Sequence, residues 1–368
     1  MSAIRLFLCG DVMTGRGIDQ ILPRPGKPQL HESFIRSASD YVDLAERKSG
    51  RIARAVPPGY VWGEALRELE RQQPDVRIAN VETAITTCDD AWPGKAIHYR
   101  MHPANVTCLE AAGLDCAVLA NNHVLDWGRA GLEETLATLQ AAGISVAGAG
   151  RNEYEATRPA VLAVPGGRRV LVFAFAMTSA GTPSGWEATG HRPGVALLRD
   201  CSAASVERLR SRIVNARHSG DLVVVSLHWG PNWGYGVEPE QRWFARALID
   251  EAGVDVVYGH SSHHPMAIEF HAGRPILYGC GDFINDYEGI GGYEAYRPDL
   301  ALMYFVALDS ASGAADLRLV PLMRKQFRLR HATEADLVWL QDMLGREGGA
   351  FGTHAARSGE HELQIQAD

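Results

Sequence analysis

Along this chain, apolar runs of four to six residues alternate with amphipathic segments, and several of the runs stop abruptly at side chains able to bind metals. Such alternation calls for a layered α/β architecture, because each helix must bury one stripe against a sheet. The runs "IRLFLC" (4–9), "VRIAN" (76–80), "DCAVLA" (115–120) and "ISVAGA" (144–149) read as strands buried on both faces. Between them, segments 60–72 and 129–143 carry apolar residues at helical spacing, the second closing on Gly143 as a C-cap. The second half repeats the theme with runs at 168–176, 222–230, 254–259 and 274–282 and a helix at 239–253, which predicts a second sheet packed on the first.

With 368 residues and 46% apolar content, burial alone can stabilise such a core. The net charge of −8 argues against nucleic acid or a membrane face as a partner, since either wants a basic surface, so an anionic ligand must be captured locally. The six cysteines are scattered without a Cys-x-x-Cys pair, which reads as reduced thiols in a cytoplasmic protein. No stretch approaches the roughly 18 unbroken apolar residues of a membrane span. One main domain, residues 1–330, is expected, with residues 20–57 as a surface excursion. Residues 331–368 are expected to form a short helix, capped by Thr333 and Asp336, and a polar, glycine-rich tail that is in part mobile.

Ligands of doubly wound sheets bind beyond the carboxyl ends of the strands. Here those ends carry Asp11, then Asn80 and Glu82, then Asn121, Asn122 and His123, then His228, and finally His260 with His263 and His264. Each has a structural reading of its own: Asp11 can cap a helix, Asn121 and Asn122 can make a turn, and His228 can be a hydrogen-bonded core residue. Gathered at one sheet edge, however, they would bury several costly polar groups unless cations held them together. Carboxylate, amide and imidazole without thiolate suit manganese, zinc or iron(II), and Glu82 is placed to be a carboxylate shared by two ions.

Around these residues the roles stay open. Asp126 either orients the His123 imidazole or caps the helix that begins there. Arg16 and Arg100 are candidate clamps for an anionic group, by guanidinium geometry. In "HWGPNWGYG" (228–236), Trp229 and its aromatic neighbours either rim a pocket or fold back on the core. Asp282, in "GCGDFIND", either supports a ligand histidine or caps a turn.

The segments "GDVMTGRG", "NVETAIT", "LANNHVLDWGRAGLEETLATLQAAGI", "AGAGRN", "HWGPNW", "GHSSHHP" and "LYGCGDFIND", spread over residues 4–308, together resemble the CapA-like family of bacterial capsule and poly-γ-glutamate synthesis proteins. That family is in turn similar to the calcineurin-like metallophosphoesterases. The resemblance implies a four-layer αββα sandwich of two mixed sheets, with a site for two divalent ions at the strand C-terminal ends. It casts Asp11, Glu82, Asn122, His228, His260 and His263 as metal ligands, Glu82 as the bridge, and His123 as the general acid beside them. Three departures stand out: Met13 occupies a position where the phosphoesterases place histidine, Glu82 stands for aspartate, and two residues rather than one separate His260 from His263. The implied activity is metal-dependent hydrolysis of a small anionic phosphoester or a γ-glutamyl amide. The alternative is a non-hydrolytic synthesis component that holds a carboxylate polymer.

Overall fold

Strand Ile4–Val12 is the hinge of the architecture, pairing in parallel with Val76–Val81 on one side and antiparallel with Leu300–Leu308 on the other. The structure, a computed structural model, describes residues 3–309 and 315–368. Beyond Val76–Val81 the first sheet continues in parallel through Cys116–Val118 and Ser145–Ala147. Beyond Leu300–Leu308 it turns antiparallel through Ala315–Lys325. The second sheet runs Leu197–Leu198, Arg168–Met177, Leu222–His228, Val256–His260, Arg274–Leu277 and Ile268–His271, parallel except at its last pair, with Ala160–Val164 added antiparallel to Arg168–Met177. Both sheets are therefore mixed, within a mixed α/β fold.

Residues alternate across a strand, and the second sheet uses both of its faces. Val172, Val224 and Val256 join the large apolar cluster shared with the first sheet. Phe173, Val225 and Val257, one residue along, pack instead with Leu209 and Ile213 of helix Ala203–Ala216 and with Phe244 and Leu248 of helix Pro239–Asp250. Each such fully buried side chain contributes about 1.5–3 kcal/mol relative to exposure. The sheets are also joined by a polar contact: the Tyr258 hydroxyl donates to the Cys9 carbonyl and accepts from the Cys9 amide at 3.2 Å. Close approach needs small residues. A Cβ on Gly148, whose φ is +88°, would lie 2.5 Å from Ala120 Cβ and 2.8 Å from Ala174 Cβ.

Two expectations need correction. The C-terminal tail is built into the sheet: Thr353–Gly359 and Glu362–Ala367 form a hairpin whose second strand pairs with Ala315–Lys325, Leu363 opposite Leu319 and Ile365 opposite Leu317. The alternating Leu363 and Ile365 are buried where the hairpin covers an edge that would otherwise be left unpaired. Segment 20–57 is likewise not a mere surface excursion, since it contains helix Ala38–Ser49, capped by Ser37 and buried at Tyr41, Val42 and Ala45. The helix after Thr333 runs through Gly348, with the Thr333–Asp336 capping box in place. The six cysteines are free thiols, and among the described residues no helix is long and apolar enough to cross a membrane.

Candidate metal centre

Asp11 reaches its position through an irregularity in the first strand. The register with Val76–Val81 slips between Cys9 and Asp11, and Gly10 makes the slip possible, because a Cβ there would lie 1.8 Å from the Gly281 carbonyl oxygen. Asp11 Oδ1 accepts from Asn80 Nδ2 at 2.8 Å and from His260 Nδ1 at 2.7 Å. Asn121 Nδ2 in turn holds Asn80 Oδ1 at 3.0 Å, so a chain of amides fixes the carboxylate. Burial would raise the Asp11 pKa, but His260, His228 and the hydrogen bond with Glu82 together outweigh it and keep the group below the usual carboxylate range. Glu82, just past the second strand, goes the other way: burial and then the charge of Asp11 push it well up. Two buried carboxylates side by side need either a proton or a cation between them.

His228 ends its strand directly opposite His260. Its Nε2 lies 3.9 Å from Glu82 Oε1, and Asp11, Glu82 and His228 can each offer a ligand atom within 4.8 Å of the others. Burial lowers the His228 pKa to about 3, so the imidazole is neutral and its lone pair available. Four buried atoms here find no hydrogen-bond partner among the described residues: both ring nitrogens of His228, Nε2 of His260 and Oδ1 of Asn122. Leaving such groups unpaired costs about 1–3 kcal/mol each. The two carboxylates of Asp11 and Glu82 and the imidazole of His228 make a donor set that suits a borderline divalent cation, so this buried group can hold a metal.

His263 is arranged differently. Its Nδ1 lies 2.8 Å from Asp282 Oδ1, and its Nε2 accepts from Asn232 Nδ2 at 3.0 Å, so both nitrogens already have protein partners. Asp282 Oδ2 accepts from Asn285 Nδ2 at 2.7 Å, which places this carboxylate behind the histidine rather than facing a ligand. Between His260 and His263 the chain passes through Ser261 at φ +91°, a conformation that is strained for serine and turns the loop tightly back on Asp11. His264 points away, its Nδ1 near the Pro265 carbonyl and its ring stacked on Tyr296.

His123 follows Asn122, and its Nδ1 meets Asp126 Oδ2 at 2.6 Å. Asp126 also accepts from the Tyr99 amide and from Lys95, whose ammonium reaches the Asn122 carbonyl as well. Lys95 escaped the sequence reading because it lies in an irregular loop, where only the assembled fold brings it to the site. Its "PGK" turn gives no hint of this. Burial and the Lys95 charge hold the His123 pKa down to about 4, despite the opposing charge of Asp126. Asp126 itself stays below the ordinary range, because His123 and Lys95 overcome its burial.

Three further residues sit elsewhere than the expected roles require. The Arg16 guanidinium is buried, bound to Asp286 through two nitrogens at 2.5 and 3.1 Å and to Glu32 at 2.9 Å, so it braces the loops instead of offering itself as a clamp. Arg100 lies over the Trp127 ring and donates to the Cys88 carbonyl and to Asp89. Trp229 is core, stacked on Tyr278 with its indole N–H donating to the Tyr278 carbonyl at 3.0 Å. It is Trp233, four residues on, that borders the cavity beside His263.

Comparison with known proteins bears on this arrangement. The family described as bacterial capsule synthesis protein PGA_cap matches residues 5–287. A probable polyglutamine synthesis accessory protein of Mycobacterium tuberculosis is 45% identical over 364 residues, covering 98% of this chain and 96% of its own. The PGA biosynthesis protein CapA of Bacillus subtilis is 30% identical, over 75% of this chain and 62% of its own. The capsule biosynthesis protein CapA of Bacillus anthracis is 26% identical over 87% and 67%. By that match and by the 45% identity over nearly its whole length, the chain belongs to the CapA-like bacterial capsule synthesis family.

Proposed function

We propose that the chain is a metal-dependent hydrolase built on a calcineurin-like four-layer sandwich, acting on a small anionic phosphoester or γ-glutamyl amide. The observation that carries this reading is the buried Asp11, Glu82 and His228 group, whose histidine has no partner on either ring nitrogen, with the buried His260 Nε2 and Asn122 Oδ1 likewise unpartnered. Those five residues would hold manganese, zinc or iron(II), and His263 would join them by exchanging its contact with Asn232. Bound there, a pair of divalent ions supplies Lewis acidity and a water acidic enough to ionise near neutral pH. The chain's own residues supply the proton handling. His123, held in one tautomer by Asp126, turns its Nε2 toward Glu82 and can take up a proton there and return it to a leaving group. Tyr99, packed edge-on against the His123 ring at 4.4 Å, keeps that ring in place.

The relatives are named as accessory and biosynthesis proteins, which favours a second reading: the same centre grips a carboxylate polymer without cleaving it. One experiment separates the two. Protein stripped of metal and reloaded with manganese, zinc or iron(II) is assayed against phosphoesters and γ-glutamyl amides, with bound metal measured by elemental analysis. Metal-dependent turnover supports the hydrolase. Stoichiometric metal with no turnover on either class favours the holding role, and absence of bound metal removes both.

A further inference from the structure

Beside His263 opens a cavity of about 760 Å³, a volume that takes a ligand well beyond the size of phosphate. Its lining includes the buried His263 and Asn285 and the aromatic rings of Tyr99, Tyr287, Trp233 and Tyr293. The Trp233 and Tyr293 rings lie parallel, centroids 3.8 Å apart and planes within 4°. Of the eight large apolar side chains exposed among the described residues, three (Phe34, Ile290 and Tyr293) line this one cavity. Apolar surface concentrated at one opening marks a binding site rather than the scatter that any surface shows.

The guanidinium groups lining the cavity are already engaged. Arg16 is bound by Asp286 and Glu32, Arg297 by Asp299 and Asp336, and Arg324 donates to the carbonyls of Asp282 and Pro298. Lys48 and Lys325 are exposed, and Glu288 and Glu294 line the same cavity with opposite charge. A polycarboxylate would find no uncommitted guanidinium on these walls among the described residues, whereas a flat ring would find aromatic faces. Such faces accept rings by stacking.

We propose that the cavity binds a phosphate monoester of nucleotide type, its heteroaromatic ring on the exposed face of Tyr293, which Trp233 backs from the other side, and its phosphate directed past His263 to the metal centre. The assignment rests on the hydrolase reading and narrows its substrate class. In the corresponding reaction the oxygen of water forms a bond to phosphorus, the ester P–O bond breaks, and the ring-bearing alcohol leaves with a proton.

Calorimetric titration of the full chain with adenosine 5′-monophosphate, ribose 5-phosphate and tri-γ-glutamate tests it. The expected result is that adenosine 5′-monophosphate binds about tenfold tighter than ribose 5-phosphate, the scale of one stacked base. Tyr293→Ala and Trp233→Ala should erase that preference and Tyr293→Phe should keep it, with melting curves verifying that each variant folds. Equal affinity for the first two ligands, tighter binding of tri-γ-glutamate, or a preference surviving both alanine variants overturns the proposal. The hydrolase reading fails separately: protein that binds no metal refutes it, yet leaves the ring preference measurable.

Discussion

His123 Nδ1 lies 2.6 Å from Asp126 Oδ2, a contact that decides which nitrogen of the imidazole carries the proton. With Asp126 ionised, Nδ1–H donates to the carboxylate and the Nε2 lone pair is left facing Glu82 Oε1, 3.9 Å away. The neutral ring is the resting form at pH 7, since its pKa is held down to about 4. In the proposed hydrolase, His123 would therefore start as a proton acceptor and act as an acid only after taking a proton up.

His123→Ala should lower turnover by about 10²–10⁴-fold, the usual contribution of a positioned acid or base, while leaving metal content intact. Asp126→Asn should cost a similar factor by releasing the tautomer. Steady-state rates measured alongside elemental analysis check both. Metal lost together with activity in His123→Ala would make the imidazole a ligand instead.

Lys95 carries a charge that disfavours the imidazolium of His123. Its removal in Lys95→Gln should raise the pKa of that ring, so the acid limb of the kcat/KM profile should move to higher pH. An unmoved limb would show that another group controls it.

Glu82 in the metal-free protein has a pKa raised by burial and by Asp11. A carboxyl raised in this way favours folding while protonated, so the stripped protein should lose stability as pH climbs from the ordinary carboxylate range through the raised value. Metal loading should abolish that loss and release a proton wherever Glu82 is still protonated. Melting temperatures of both forms across pH, with calorimetry in two buffers of different ionisation enthalpy, measure the two effects.

Met13 is buried beside the centre, where its sulfur accepts a hydrogen bond from the Tyr287 hydroxyl at 3.8 Å. Thioether is a poor donor to a hard divalent ion, so the centre should bind two ions with unequal affinity. Met13→His should narrow the gap. Two equal sites in the native protein, or no gain in the variant, would count against this account.

The strand ends could be read from sequence because each apolar run stops at a polar residue: Asp11, Glu82 and His228 follow sheet-forming valines, leucines and isoleucines with no loop to obscure the register. Lys95 could not, since its partners Asp126 and Asn122 are some thirty residues away and nothing periodic precedes it. The same holds for Arg16, whose partners Glu32 and Asp286 come from opposite ends of the chain. The C-terminal hairpin was obscured for a different reason. Its pattern is carried by Leu363 and Ile365 among polar neighbours, and its stability comes from the edge it covers. Trp229 and Trp233 share one motif, and only the path of the loop sends the first inward and leaves the second beside the cavity.

The hydrogen bonds between the Tyr258 hydroxyl and the Cys9 backbone bear on kinetics as well as on packing. Asp11 and Glu82 come from one sheet, His228 and His260 from the other, so neither half of the chain holds the ligand cluster alone. The cluster is complete only when both sheets are in place. An ion enclosed there would be gripped from both sheets at once, so its release would require them to part, and the Tyr258 hydroxyl on the Cys9 backbone is a polar tie that opposes such a parting.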